Sequence, residues 1–288
     1  MFSYWLLKGA GAVIRLIPAS AARLIGKLLG GAVFYLDRRH RRIALDNLRG
    51  AFGESKSDKE IRSIARDSFS QLGFNLVEFL RVPVINSKDW RSIFRVEGAD
   101  RVREAFRRGR GIIFVLAHFG NWEYLGFSPR LLGFRGAAVG QDIKNPAVDG
   151  LVKDTREAIG LELLPKFEVS TPILTYLKNN GAVAILADQR ARKMNIEADF
   201  FGRPAATTAA PAVFALKSGA ALIPAFIYHQ KESGYRIIFE PEIEIPSGLR
   251  LREAVARVTE GINAVIEARI REEPRMWLWG HRRWRPAG

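Results

Sequence analysis

Gly111-Ile-Ile-Phe-Val-Leu-Ala117-His118-Phe-Gly-Asn-Trp-Glu123 is the stretch on which the fold turns. Its first seven residues form a short apolar run of strand length, and Asn121 is a good helix cap, so the stretch reads as strand, turn and helix start. Comparable runs recur at Ala182 to Ala187, Ala221 to Ile227, Gly136 to Gly140 and Arg236 to Glu240, with Arg275 to Trp279 as a further candidate strand. Helical patterns fill 99–108, 121–132, 146–159, 169–179, 207–218 and 249–272 between them. This alternation predicts a single α/β domain whose mixed, mostly parallel sheet is covered by helices on both faces.

Upstream, Ile61, Ile64, Ala65, Phe69, Leu72, Leu76, Phe79 and Leu80 recur at three- and four-residue steps, which predicts a helix from Ser57 to Arg81, closed by Pro83. The first thirty-six residues are apolar, yet Lys8, Arg15, Arg23 and Lys27 are spread through them, unlike a signal peptide or an unbroken span. At about 100° per residue these cations fall within roughly 120° of one another, leaving Leu6, Leu7, Val13, Ile14, Ile17, Ile25 and Leu28 elsewhere on the helix. That pattern predicts an amphipathic helix in the membrane interface, kinked at Pro18, with an ordinary helix packed on the protein as the alternative. The expected division is therefore a membrane-associating helix over 1–36 and a catalytic domain over 37–288. The basic cluster Asp37-Arg-Arg-His-Arg-Arg42 follows directly, where contact with anionic lipid suits it best.

The chain has 288 residues, 48% of them apolar, enough for a substantial core. A net charge of +15 favours anionic partners without choosing among nucleic acid, phospholipid and acidic protein. Having no cysteine, the chain cannot use thiolate catalysis, disulfides or cysteine-based zinc sites. Four histidines, none closely paired, predict no metal site. No helix-turn-helix, zinc finger or aromatic RNA-binding motif is visible, so nucleic acid is not an expected partner.

In open α/β sheets the working groups sit past the ends of strands, which singles out His118. Glu123 falls in the first helical turn, where the helix dipole favours a carboxylate. A tight corner could then bring the pair together, with Glu123 holding one ring nitrogen and leaving the other as a general base. A capping glutamate beside a strand-end histidine without catalytic role is the competing reading. Gly126-Phe-Ser-Pro-Arg130 lacks the second glycine of a nucleophile elbow, so direct attack without an acyl-enzyme is the simpler chemistry. Arg156, Arg190 and Arg203 are candidate phosphate binders or plain surface charges, and Thr207 or Thr208 a helix cap. Met276-Trp-Leu-Trp279 and His281-Arg-Arg-Trp284 suit a membrane-proximal position, or a final strand with a basic tail.

Several blocks in order along the chain resemble the bacterial lipid A biosynthesis acyltransferases, the lauroyl and myristoyl acyltransferases within the larger lysophospholipid acyltransferase group. They are Arg41-Arg-Ile-Ala-Leu-Asp-Asn-Leu-Arg-Gly-Ala-Phe52, His118-Phe-Gly-Asn-Trp-Glu123, Ala187-Asp-Gln189, Phe200-Phe-Gly-Arg-Pro-Ala-Ala-Thr207, Ser218-Gly-Ala-Ala-Leu-Ile-Pro224 and Trp277-Leu-Trp-Gly-His-Arg-Arg-Trp284. The resemblance implies transfer of a fatty acyl group from a thioester of acyl carrier protein or coenzyme A to a hydroxyl of a lipid A precursor. No bound cofactor is implied, and the thioester is a co-substrate. His118 and Glu123 would be the catalytic dyad, with Arg156, Asp188, Gln189 and Arg203 on the substrate side. The implied partners are acyl carrier protein, anionic membrane lipids and a lipid acceptor, at the cytoplasmic face of the inner membrane. A lysophospholipid, a phosphatidylinositol mannoside or another glycolipid is the alternative acceptor, and an acyl hydrolase or a basic nucleic-acid-binding protein the remote alternative function. The sequence departs from the family at Gln141, near which an arginine is usual, and at Arg190-Ala-Arg-Lys193, where glycine usually follows Asp-Gln.

Overall fold

A computed structural model describes residues 2–86, 90–139, 145–164, 170–191, 193–230 and 234–284, with the side chains of 2–7 and 86 excepted. Helices α1 (Phe2–Leu16), α2 (Ala19–Leu36), α3 (Arg38–Phe52) and α4 (Asp58–Asn86) precede strand β1 (Phe94–Glu97). Then come α5 (Ala99–Arg107), β2 (Ile112–Leu116), α6 (Ser128–Leu132), β3 (Gly136–Val139), α7 (Pro146–Ala158) and β4 (Glu162–Leu164). The chain continues through α8 (Ser170–Lys178), β5 (Ala182–Leu186), the hairpin β6 (Asn195–Asp199) and β7 (Pro204–Thr208), α9 (Ala210–Ser218), β8 (Ala221–His229), β9 (Tyr235–Phe239) and α10 (Leu251–Glu272).

Among the described residues seven strands form the main sheet, in the order β1-β9-β8-β2-β5-β3-β4. All neighbours are parallel except β8 and β9, which a short connection joins as an antiparallel pair. The mixed sheet with helices on both faces is the expected architecture. Strand β2 lies near its middle and is buried along its whole length, as an apolar run in a sheet covered on both sides must be. Alternation divides it: Ile113 and Val115 join the core beneath α3, α8, α9 and α10, while Ile112, Phe114 and Leu116 join the core beneath α5 and α6.

Several boundaries differ from expectation for identifiable reasons. Helix α4 runs through Pro83 to Asn86. Pro83 costs only the hydrogen bond to the Phe79 carbonyl, and burial of Phe79 and Val82 in the core holds the turn that proline weakens. The segment 121–132 divides into a 3-10 stretch, Trp122–Phe127, and the short α6. Thr207 and Thr208 pair with Ile196 and Asn195 in the β6–β7 hairpin, which delays α9 to Ala210. Arg275 to Trp279 is not a strand but a 3-10 turn, Pro274–Met276, with a single bridge between Phe119 and Trp277. The following segment is neither a basic tail nor a membrane belt: Trp277, Trp279 and Arg283 are fully buried, and Arg283 donates to the Ala206 carbonyl and Thr207 Oγ1.

The N-terminal region is two helices hinged at Pro18 rather than one kinked helix. Helix α2 meets α4 at Gly26, Gly30 and Gly73; a Cβ at Gly30 would stand 2.2 Å from the Phe69 carbonyl oxygen, so the backbones touch. The cationic face turns inward. Arg15 donates to Leu80, Arg23 grips Glu78 through two hydrogen bonds, and Lys27 lies over the Phe74 ring. Leu24, Leu28, Leu29, Val33 and Leu36 face outward, 57, 63, 60, 45 and 80% exposed. Of these cations Arg23 neutralises an acid of α4, and α2 presents its apolar face to the surroundings.

Candidate active site

The register of β2 against β5 builds the centre of the site. Ile112 pairs with Ala182 and Leu116 with Leu186, a constant offset of seventy residues. Continuing it past the strand ends places His118 beside Asp188. The backbone N–H of His118 donates to Asp188 Oδ2 at 2.8 Å, and the ring Nδ1 meets Oδ1 at 2.8 Å. Trp277 donates its indole N–H to the same carboxylate at 2.7 Å. Asp188 is 1% exposed, so a tryptophan and a histidine meet almost all of its demand for donors.

Gly120 allows the turn that follows. Its φ of +56° suits glycine, and a Cβ there would stand 1.9 Å from the Ile227 carbonyl oxygen. Gly120 N–H donates to Met276 O, and Leu278 N–H donates to His118 O, so the C-terminal segment clamps the turn from outside.

Asp188, not the expected Glu123, accepts the hydrogen bond of the imidazole. Glu123 accepts two hydrogen bonds from Arg156, Nε at 3.0 Å and Nη2 at 2.8 Å, and a third from the Trp122 indole at 3.1 Å. The 3-10 stretch aims the carboxylate at α7 rather than folding it back on the ring. Glu123 still acts on His118 through space. Burial opposes the imidazolium, but the charge and hydrogen bond of Asp188, with a smaller effect of Glu123, outweigh it and raise the His118 pKa above the ordinary 6.5. Burial likewise opposes the Asp188 carboxylate, and His118 with the donated hydrogen bonds holds its pKa below the usual value.

Glu123 and Arg156 form the polar rim of a pocket that opens to solvent. Its walls are apolar: Phe114 and Leu116 of β2, Ala138 of β3, Ala184 of β5, Phe134 and Phe239. Trp122 joins the two halves of the site, since its indole lines the cavity and lies 5.0 Å from the His118 ring, centroid to centroid.

The remaining expected site residues scatter. Gln189 is half-buried beside Asp188. Arg203 sits in the β6–β7 turn with its guanidinium 4.9 Å from the Trp284 ring, away from the residues that line the cavity. Arg190 keeps a buried Nε without a hydrogen-bond partner. Thr207 accepts from Arg283 and Asn263, and Thr208 Oγ1 from the Ala210 N–H, so only the second resembles a cap. Gln141 and Arg192 lie outside the described residues. Trp277 as a partner of Asp188 was not foreseen; the only sign of it was its place in a block of family resemblance.

A strand-end histidine held by a buried aspartate, beside an apolar cavity in a mixed α/β sheet, is an arrangement that can take a proton from an attacking hydroxyl or water. The family model for bacterial lipid A biosynthesis acyltransferases matches residues 1–286, and the chain belongs to that family. It is 28% identical to the lipid A biosynthesis palmitoleoyltransferase of Escherichia coli K12, over 99% of this chain and 93% of that one. Identity to the lipid A biosynthesis lauroyltransferase of the same organism is 27%, over 99% and 92%. The phosphatidylinositol mannoside acyltransferase of Mycobacterium tuberculosis H37Rv is 29% identical over 69% of this chain, and the match spans 63% of that protein's length.

Proposed function

We propose that the protein transfers a fatty acyl group from an acyl carrier protein or coenzyme A thioester to a hydroxyl of a lipid A precursor, at the cytoplasmic face of the inner membrane. One observation carries this reading: a histidine with one nitrogen fixed by a buried carboxylate stands beside an apolar cavity suited to a hydrocarbon chain. With Nδ1 held by Asp188, Nε2 of His118 takes the acceptor's hydroxyl proton as that oxygen attacks the thioester carbonyl. The tetrahedral intermediate collapses with cleavage of the C–S bond, and the imidazolium returns its proton to the departing thiolate. Asp188 fixes the tautomer and stabilises the imidazolium, the part a carboxylate plays in hydrolytic triads. Glu123 and Arg156, locked together, shape the mouth through which the acyl chain enters.

The outward leucines of α2 support a seat in lipid, and the charge of +15 supports an anionic surface. Helix α2 is also long and apolar enough to cross a membrane. A phosphatidylinositol mannoside is the second acceptor to test, since a relative carries that name. The deciding experiment incubates the purified protein with both thioester classes at several chain lengths, against each acceptor in vesicles, and identifies products by mass spectrometry. Acylated lipid A precursor is the expected product. Free fatty acid alone overturns the transferase reading, and an acylated mannoside alone overturns the acceptor.

A further inference from the structure

Helix α4 carries more polar side chains into the interior than packing calls for. Gln71, Asn75 and Glu78 lie at positions i, i+4 and i+7, on one face of the helix. Asn75 is 6% exposed and Glu78 fully buried. Gln71 donates to Asn75 Oδ1 at 2.8 Å, which leaves the Asn75 amide to donate to the Gly120 carbonyl at 2.6 Å. The Tyr124 hydroxyl donates to the backbone carbonyl of Glu78 at 2.7 Å. Glu78 itself receives Arg23 at 3.1 and 3.0 Å, together with the Tyr235 hydroxyl, and the Tyr235 ring lies 4.8 Å from that of Tyr124.

These contacts bracket one short piece of chain. Gly120 is two residues past His118, and Tyr124 is one residue past Glu123. Asn75 and Tyr124 therefore tie the His118–Glu123 turn to a single helix, one from within it and one from just past its end. Arg23 ties Glu78 on that helix to α2. A buried ion pair with a buried amide costs desolvation that apolar side chains of the same volume would avoid. Alignment of a reacting group repays such a cost, because a displacement of about 1 Å can lower a rate about a hundredfold.

We propose that Asn75 and Tyr124 are positioning residues that hold the His118–Glu123 turn against α4, with the Arg23–Glu78 pair fixing the stretch of α4 that receives them. Substrate does not touch these groups; they set where His118 stands relative to Asp188 and the cavity. The kinetic part of the test rests on the acyl-transfer reading above, and the spectroscopic part does not. In full-length protein, Asn75→Leu and Tyr124→Phe are each expected to lower kcat about tenfold to a hundredfold per folded molecule, with KM for the thioester within about twofold. Arg23→Met is expected to lower kcat similarly, and Arg23→Lys to recover most of it. The His118 imidazole, titrated by NMR without substrate, is expected to fall toward the ordinary value in Asn75→Leu and Tyr124→Phe as it leaves Asp188.

If these two variants lower the unfolding midpoint while kcat per folded molecule and the His118 titration stay as in the parent, the contacts only stabilise and the proposal is overturned. Should Asn75→Leu not fold, Tyr124→Phe, which removes one oxygen, decides the matter alone. Absence of acyl transfer by the parent protein would sink the functional reading, and the NMR titration would still test the positioning.

Discussion

His118 keeps its proton to a higher pH than a free histidine because the Asp188 carboxylate rewards the imidazolium by more than burial penalises it. Base catalysis needs the neutral ring, so kcat/KM is expected to rise with pH along a limb centred above 6.5. Asp188→Asn removes the charge and should move that limb downward, while lowering kcat by about a thousandfold or more through loss of the correct tautomer. Glu123→Gln should move the limb much less, since its influence on the ring is through space. A limb that shifts equally in both variants would contradict the assignment of Asp188 as the ring's partner. Stability follows the same pair. The raised histidine contributes stability below its unfolded pKa and loses it as pH rises through the folded value, whereas the depressed aspartate contributes above its unfolded pKa and loses it in acid. The unfolding midpoint of the parent should therefore exceed that of Asp188→Asn most between about pH 4 and 6.5. His118 was legible from its place at a strand end, and Asp188 was visible at the end of another. Their union was not, because it depends on which strands are neighbours, and an apolar run does not name its partner. Glu123 was assigned to the ring on the strength of a corner whose backbone turned out to be 3-10, which sends its carboxylate to Arg156 instead.

At the scale of elements, the cavity is made by what β3 and β5 leave out. Ala138 and Ala184 present methyl groups where larger side chains would fill the space, while Phe114, Phe134 and Phe239 wall it. Ala184→Phe should place a ring in the path of the acyl chain, so kcat/KM for the longest thioester accepted is expected to fall about tenfold or more against shorter ones. Competition between two chain lengths in one reaction, read by mass spectrometry, checks this, and an unchanged ratio would mean the chain binds elsewhere. The strands that line the cavity were legible as apolar runs. The β6–β7 hairpin was not, because Pro204-Ala-Ala-Thr-Thr208 has little strand character and pairs only through its partner Asn195–Asp199. The division of α2 into a cationic and an apolar face is legible in the sequence, and which of them packs on the protein is not. A helical period separates cations from leucines, and only Glu78, forty-odd residues beyond the last of those leucines, shows which face turns inward.

Across the whole molecule, helix α4 links the outward-facing α2 to the site, because it packs on both α2 and α7. Helix α1 packs on α7 and pairs Lys8 with Asp154, while α4 packs on α7 as well, and α7 carries the Arg156 that holds Glu123 at the rim. Leu24→Glu with Leu28→Glu puts two carboxylates where about 1.5–3 kcal/mol per leucine is available from burial, so partition onto anionic vesicles should drop by about a hundredfold or more. Raised salt should weaken binding of the parent only in part, because burial of leucine is not screened while attraction of the net positive charge is. Turnover of a vesicle-embedded acceptor should fall in proportion to the bound fraction. Turnover of a short-chain thioester with a water-soluble hydroxyl acceptor should stay within about twofold, since neither substitution touches the polar residues between α2 and α4. If vesicle binding survives the double substitution and salt alone abolishes it, the contact is electrostatic and the apolar face of α2 is not its seat.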